Sequence, residues 1–420
     1  MKLSNSNKKL LSNTGFLYLM TISVQVLNVL TIPYLTRVLG PVVYGRIGLA
    51  QGYMSYVQIV LDFGFILSAT QVISENRSDK ILASNVISSV SIIKIILSLI
   101  VASIFLILFC GDFFDSTNAS IIFIYLVAYL FNALLPDYYY RGIEDMKITS
   151  IRTVVIRVIF TILIFIYVKN ENDYIFVPIS FLVGSICALF FSILDIKIRY
   201  KITYNIPKLS YIKKFFVSSI PFFVSRFAST FYQALNVIIL GKIYGNSPVV
   251  GYYTSSDKMI TLSKMASSPI ADSLYPYMLK NKNFRIVKKI LVIFMPIITV
   301  GVILIGIFAE PLCVIAFGKE YAEAGNVLRL LLPIAWVILP TYIIAFPVMS
   351  PLGLVKYANK SNIVGMCIQV CGLILFKLCG FLNVYTVCAL TSFTEVAVFI
   401  YRLSVVILRN KLNLGGIKNE

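Results

Sequence analysis

Apolar stretches of membrane-spanning length recur along the whole of this 420-residue chain. A helix needs about 20 mostly apolar residues to cross a hydrocarbon core of roughly 30 Å. Hydrophobic residues make up 59% of the sequence and charged residues 13%, whereas soluble domains carry roughly 25% charged residues. Because helices satisfy their own backbone hydrogen bonds in lipid, runs of this length predict an all-α polytopic membrane protein.

The apolar runs divide into about twelve predicted spans, and we interpret the first as a retained helix rather than a cleaved signal. Their predicted limits are residues 13–36, 46–70, 82–109, 119–140, 150–168, 174–194, 215–240, 251–275, 287–309, 326–349, 358–378 and 383–407. No connecting segment is long enough to fold separately, which counts against an enzyme with a large external catalytic loop. The sequence also lacks the G-x-x-x-x-G-K-[ST] motif of transporters driven by nucleotide hydrolysis.

Two short turns of similar sequence lie about 205 residues apart. Glycine permits the backbone angles of a tight reversal, and proline cannot continue a helix. The predicted hinge residues are Gly40, Pro41, Gly45, Gly245 and Pro248. The repetition predicts a duplicated architecture of two six-helix lobes, as in many transporters. We assign residues 1–195 and 215–408 to the lobes, 196–214 to a basic cytoplasmic connector and 409–420 to a cytoplasmic tail.

The net charge of +19 follows the predicted topology. When residues at span ends are counted with the adjoining loops, 24 of the 37 Lys and Arg residues fall on one side of the membrane and six on the other. Basic residues in short loops stay on the cytoplasmic side, so we expect both termini to be cytoplasmic. The basic balance therefore indicates membrane orientation and contact with anionic lipid, not binding of nucleic acid.

Seven basic residues fall inside the predicted spans, where a charge costs about 3 kcal/mol or more. Arg402 and Arg329 lie close enough to span ends to extend to the membrane surface. Arg157 lies about seven residues into its span, so extension to the surface and a place in a cavity both stay open. The other four are Lys94, Arg226, Lys258 and Lys264. Lys94, Arg226 and Lys264 are ten or more residues from either span end, about 15 Å deep.

These deep basic residues predict a hydrated, positively charged cavity. Fewer acidic residues are available within the spans, namely Asp62, Asp137, Asp257, Asp272 and Glu395, and of these Asp137 and Asp272 lie near the cytoplasmic span ends. A positive cavity suits an anionic solute, phosphate in particular, although an ion pair with Asp257 is an alternative explanation for Lys264. The first span of each half is rich in polar residues, which favours a cleft lined by both; close helix packing is the alternative. The predicted substrate-binding residues are Lys94, Arg226, Lys264, Arg157 and Lys258.

No metal or cofactor site is predicted. The chain has no His, and its seven Cys residues are interpreted as small buried apolar side chains, including the helically spaced pair Cys367 and Cys371. Tyr138-Tyr139-Tyr140 lies at a span end, and we interpret it as part of an interfacial aromatic belt.

Four stretches of the sequence resemble the polysaccharide repeat-unit flippases of the Wzx type, members of the multidrug/oligosaccharidyl-lipid/polysaccharide exporter superfamily. They are residues 33–45, Asp62-Phe63-Gly64, residues 136–146 and Val250-Gly251-Tyr252-Tyr253 with Pro276. Arg141 and Tyr139 depart from the Gln and Trp frequent in the family. The resemblance covers essentially the whole chain. It implies a MATE-like fold in the bacterial cytoplasmic membrane and alternating access.

The substrate implied by the resemblance is an undecaprenyl-diphosphate-linked oligosaccharide moved from the inner to the outer leaflet for O-antigen or capsule assembly. The polysaccharide polymerase machinery is a further candidate partner. Asp62 and Glu395 are candidates for ion coupling. Two other functions stay open: a cation-coupled small-molecule exporter of the same fold, and a membrane glycosyltransferase or polymerase, for which Glu144-Asp145 is the only adjacent acidic pair.

Overall fold

The computed structural model describes residues 5–77 and 79–416, and within these residues the chain is helical without β-strands. The all-α prediction is therefore confirmed. The helices are α1 (Asn5–Asp62), α2 (Phe65–Glu75), α3 (Lys80–Cys110), α4 (Ser116–Ala133), α5 (Asp137–Gly142), α6 (Met146–Tyr167), α7 (Phe176–Ile198), α8 (Leu209–Tyr244), α9 (Pro248–Asn281), α10 (Phe284–Ile307), α11 (Ala309–Phe317), α12 (Ala324–Ile343), α13 (Val355–Leu378) and α14 (Val384–Gly416).

Nine segments of the described chain are long and apolar enough to cross a membrane. The first, Leu19–Glu75, holds two predicted spans on either side of Gly40. The helices α8 and α9 are 36 and 34 residues long. With these two, the described helical stretches that correspond to predicted spans number about twelve. Helix α14 continues beyond the predicted end of the last span, and the final residues of the predicted tail, 417–420, lie outside the described residues.

Each of the two predicted turns contains a glycine with positive φ. Gly40 is non-helical within α1, with φ 67° and ψ 172°, and Pro41 begins the second half of the helix. Gly245 has φ 54°, and Pro248 opens α9 behind Ser247, whose side chain accepts a hydrogen bond from the Val249 backbone. At Gly40 a single non-helical residue kinks the chain between two helical stretches, so the connection is shorter than the predicted loop. Gly45 lies within α1 and is buried.

The second predicted span is interrupted at Asp62-Phe63-Gly64, where the sequence analysis placed a continuous helix to residue 70. Phe63 and Gly64 both adopt positive φ, 40° and 74°. A Cβ on Gly64 would lie 2.7 Å from the Cβ of Phe222, so only glycine fits at this contact. The Phe63 ring stacks on Phe216 and Phe223, with centroids 4.4 and 4.7 Å away. This packing turns the chain between α1 and α2.

The chain divides into two compact units, Met1–Thr230 and Phe231–Glu420, and the division falls inside α8. We call them the N-terminal and C-terminal units. The segment before α8 is bound to α3 rather than loosely extended: the Asn205 backbone N–H bonds Ser88 Oγ at 3.0 Å, and its side chain bonds Asn85 at 2.9 Å. The functional division into lobes 1–195 and 215–408 stays a prediction.

Two apolar cores lie among the described residues of the N-terminal unit. One joins α1, α3, α4, α6 and α7 through residues such as Met54, Leu61, Ile121 and Ile164. The other surrounds Tyr138, Tyr139 and Tyr140, which are 2%, 4% and 0% exposed. The prediction of an interfacial aromatic belt is therefore wrong for this triplet. The α5 helix inserts these rings against α2 and the Tyr200 ring, which local sequence alone does not indicate.

In the C-terminal unit α12 lies at the centre, packed by α9, α10, α11 and α14 and buried along most of its length. It continues into a π-helical turn, Ile344–Val348, around Pro347. The α10 helix is at the periphery: Val287 alone of its described residues is buried, and Val292, Ile297 and Ile303 are more than half exposed. Such a surface is stable in lipid, where apolar side chains need no cover.

Candidate functional site

Arg157 lies inside the N-terminal unit with polar and aromatic neighbours. Its guanidinium donates a hydrogen bond to Asn28 Oδ1 and stands 4.7 Å from the Phe160 ring centroid. Tyr125 and Tyr129 are close enough to interact with it electrostatically. Its Nε finds no hydrogen-bond partner among the described residues. The helices α1, α4 and α6 thus hold together a cation that retains an unused donor inside the bundle.

The residues around Arg157 suit a polar, ring-shaped ligand as well as an anion. Gln51 donates to the Tyr125 hydroxyl at 3.3 Å, and the Tyr125 and Tyr129 rings stand edge to face at 6.5 Å. Arginine offers five N–H donors in a fork that matches phosphate oxygens. Asn28 belongs to the polar face predicted for the first span, and the structure assigns that residue to this cluster.

Lys94 lies in a separate environment of the same unit. It is 5% exposed, its ammonium donates to the Ala133 carbonyl oxygen, and the Tyr138 ring centroid is 5.8 Å away. Asp62 and Asp137 interact with it electrostatically. In this conformation Lys94 is packed within protein, and its partners differ from those of Arg157.

The three other predicted binding residues are placed as follows. Arg226 is exposed on α8 within the N-terminal unit, and Lys258 and Lys264 are half-buried on α9. No ion pair joins Lys264 to Asp257 in the described part of the chain, so the alternative explanation for Lys264 lacks support. Of the five predicted binding residues, Arg157 therefore has the most fully defined polar and aromatic surroundings.

A buried hydrogen-bond network occupies the C-terminal unit around Glu395. The Tyr232 hydroxyl donates to Glu395 Oε1 at 3.2 Å, and the carboxylate residue is 5% exposed. Nearby, Gln369 donates to Asn236 at 2.9 Å and accepts from Thr394 at 2.8 Å. Glu395 was selected from the sequence as a coupling candidate. Gln369 and Thr394 were not, because an uncharged polar residue in an apolar run gives no distinctive signal.

Arg402 does not extend to the membrane surface, and that prediction is wrong. It is 7% exposed and donates to Ser361 Oγ at 2.8 Å, the Thr341 carbonyl at 3.0 Å and Asn362 Oδ1 at 2.8 Å. Residues of α12, α13 and α14 meet at this guanidinium. Arg329, by contrast, is exposed and bonds the Gly306 carbonyl and Asn326, as its place near a span end predicts.

Sequence analysis missed a group of charged contacts at one end of α6 and α7. Arg152 is buried, pairs with Asp137 and donates to Ser192 Oγ at 2.6 Å. Asp145 accepts from the Tyr200 hydroxyl at 2.7 Å and lies 3.4 Å from Arg199. Burial and the hydrogen bond to Asp145 raise the pKa of Tyr200, so its hydroxyl stays protonated and donating. Arg152 was not selected as a deep charge because it lies only two residues from a predicted span end and was counted with the adjoining loop.

Both carboxylates of the Glu144-Asp145 pair contact other side chains of the protein. Glu144 pairs with Arg77, with both side chains more than a third exposed, and Asp145 serves Tyr200 and Arg199. Five of the seven Cys residues are exposed, and Cys313 and Cys388 are buried. The prediction of buried cysteines is thus correct for two of the seven.

The fold defines a class, the polytopic helical membrane proteins with MATE-like architecture. A multidrug resistance MATE family transporter of the MOP superfamily in its inward-facing conformation matches with a TM-score of 0.74 and 16% identity, over 92% of this chain and 96% of that one. The Lipid II flippase MurJ in its inward closed conformation matches with a TM-score of 0.73 and 13% identity, over 93% and 87%. These likenesses confirm the predicted fold.

The chain belongs to the polysaccharide biosynthesis protein family, whose sequence profile matches residues 10–282. Two relatives carry the name "Putative O-antigen transporter". The one from Shigella dysenteriae is 25% identical over 386 residues, 90% of this chain and 95% of the relative. The one from Escherichia coli strain K12 is 26% identical over 350 residues, 80% and 82%. The resemblance found in the sequence is confirmed.

Proposed function

We propose that this protein is a flippase that moves an undecaprenyl-diphosphate-linked oligosaccharide from the inner to the outer leaflet of the bacterial cytoplasmic membrane. The observation that carries the proposal is the Arg157 cluster: a largely buried guanidinium with a donor left unused, beside amide and aromatic side chains. A cation held this way suits a diphosphate or an acidic sugar. The O-antigen transporter relatives support the same substrate class.

Within this proposal Arg157 holds the anionic head of the substrate. Arg226, Lys258 and Lys264 contribute positive charge along the route, and Lys94, packed under the Ala133 carbonyl, contributes from within the N-terminal unit. Glu395 is the stronger candidate for ion coupling, because its carboxylate is buried with one described donor, Tyr232. Asp62 is the other candidate, at the turn between α1 and α2. The translocated oligosaccharide is used for O-antigen or capsule assembly.

The experiment that tests this function is deletion of the gene. The lipid-linked repeat unit should still be assembled and should accumulate in the inner leaflet, while surface polysaccharide is lost. An impermeant reagent applied to spheroplasts would find the oligosaccharide inaccessible. If the deletion strain fails to assemble the repeat unit, the protein acts as a synthetic enzyme and the proposal is wrong.

A cation-coupled exporter of small molecules is the second candidate, favoured by the MATE-like fold and the buried Glu395 carboxylate. Substitution of Arg157 distinguishes the two functions. A flippase needs this cation for its anionic cargo, so Arg157→Ala should abolish polysaccharide export. An exporter of cationic drugs should tolerate that substitution, because the change removes charge repulsion.

A further inference from the structure

A cavity of about 410 Å³ lies along the groove between α6 and α7 in the N-terminal unit. The two helices approach closely at Gly184, where a Cβ would lie 2.9 Å from Ile156 Cγ2. From near this contact the cavity runs toward Lys147, in the first turn of α6, and Arg199, which follows α7. Its volume is in the range of small-ligand sites, roughly 300–1,000 Å³.

The wall of the cavity is apolar and open. Ile151, Val155 and Phe191 line it and are 48%, 49% and 50% exposed. On a membrane-spanning helix pair these side chains meet lipid, so an exposed apolar groove is expected to accept an acyl chain.

One end of the cavity is basic. Lys147, Arg152 and Arg199 line it, and no carboxylate does among the described residues. Arg199 lies 3.4 Å from Asp145 and 5.4 Å from the Tyr200 ring centroid, and its side chain is 57% exposed, so part of its five-donor guanidinium remains open to a headgroup. The Lys147 ammonium is exposed, 5.8 Å from the Phe16 ring centroid. Arg152 Nε has no hydrogen-bond partner in the described chain.

We propose that this groove binds one anionic phospholipid, with its phosphate between Lys147 and Arg199 and one acyl chain along Ile151, Val155 and Phe191. Positive charge at the membrane surface attracts anionic headgroups, and the apolar wall adds the contact that a soluble phosphate lacks. Lys147 and Arg199 lie on the side predicted to be cytoplasmic, so the lipid belongs to the inner leaflet. The groove is separate from the Arg157 cluster, and the proposal does not depend on what the protein transports.

Native mass spectrometry of the purified full-length protein tests the proposal. Dioleoyl phosphatidylglycerol should be retained and dioleoyl phosphatidylcholine should not. Lys147→Ala/Arg199→Ala should weaken retention of the first phosphatidylglycerol by about twenty-five-fold, because each basic residue at an anionic surface contributes about a factor of five. Lys169→Ala/Lys377→Ala, which removes the same charge from exposed positions elsewhere, should leave retention unchanged.

A second measurement uses Cys187, which lines the groove. In a variant that keeps Cys187 as its single cysteine, phosphatidylglycerol should slow maleimide labelling, and Val155→Trp, which fills the groove, should remove this protection. Equal retention of the two lipids, or equal loss in the two double variants, overturns the proposal. It is also overturned if undecaprenyl phosphate displaces phosphatidylglycerol at equimolar amounts, because the groove would then belong to the transported lipid.

Discussion

At the scale of single residues, Arg157 is the side chain on which transport depends most directly in this account. Arg157→Ala removes charge-assisted hydrogen bonds worth about 1.5–3 kcal/mol each, so export should fall about tenfold or more. Arg157→Lys keeps the charge without the fork and should lose less. Surface polysaccharide measured against membrane protein abundance gives the readout.

The matched control for this experiment is Arg329→Ala. Arg329 is exposed near a helix end, so its loss should leave both transport and abundance near normal. Normal export by Arg157→Ala at normal abundance would show that the buried guanidinium is structural.

We expect Arg402 to stabilise the fold rather than to take part in transport. Arg402→Ala breaks three hydrogen bonds that join α14 to α12 and α13, and it leaves buried acceptors unpaired. We expect a loss of roughly 3 kcal/mol or more in the free energy of unfolding. Thermal unfolding followed by size-exclusion chromatography should show a lower midpoint than for Arg329→Ala. Equal midpoints would contradict the burial of Arg402.

Arg402 and Arg152 show what sequence reasoning at this scale can and cannot supply. Position along a span gives depth, and depth alone led to the expectation that Arg402 reaches the surface. The direction in which a side chain points depends on which helices pack around it, and these come from distant parts of the chain. Arg157 was selected as a candidate from its depth in a predicted span, but its partner Asn28 could be identified only from the packing of α1 against α6.

At the scale of helices, the turn Asp62-Phe63-Gly64 is held by its contact with α8. Gly64→Ala adds a Cβ against Phe222 at a residue with φ 74°. Gly380 has nearly the same φ, 72°, with nothing within 4 Å of an added Cβ. Gly380→Ala should therefore cost only the backbone strain, about 1–2 kcal/mol, and Gly64→Ala about 1–3 kcal/mol more for overpacking.

Thermal unfolding midpoints of the two alanine variants, measured under the same conditions, provide the comparison. Identical midpoints would mean that the contact between Gly64 and Phe222 does not hold the turn.

The helical fold class and the approximate number of membrane-spanning segments followed from the sequence, because runs of about 20 apolar residues have few other stable structures in a membrane. The break after α1 did not follow, because the residues around Phe63 continue the apolar run. Their conformation depends on the rings of Phe216 and Phe223, which are distant in sequence. The prediction for Tyr138–Tyr140 was wrong for the same reason. The position of the triplet at a span end is typical of a membrane interface, but contacts with residues distant in sequence bury it.

At the scale of the whole molecule, the basic residues predict orientation. The loops near Lys80, Lys147, Lys208, Lys282 and Lys356 should be cytoplasmic. Single cysteines placed there in a cysteine-free background should resist an impermeant thiol reagent in intact cells, and cysteines near Lys169 and Lys319 should react. Labelling near Lys208 from outside would overturn the topology and with it the two-lobe division.

Reconstituted transport is the most direct test of the central claim. Liposomes containing the purified protein and the lipid-linked oligosaccharide extracted from the deletion strain are treated with periodate, which does not cross the bilayer. If the protein is a flippase, all of the oligosaccharide should become oxidised over time, and liposomes carrying Arg157→Ala should retain a protected inner fraction. If the wild-type protein leaves the same protected fraction as protein-free liposomes, the account is contradicted.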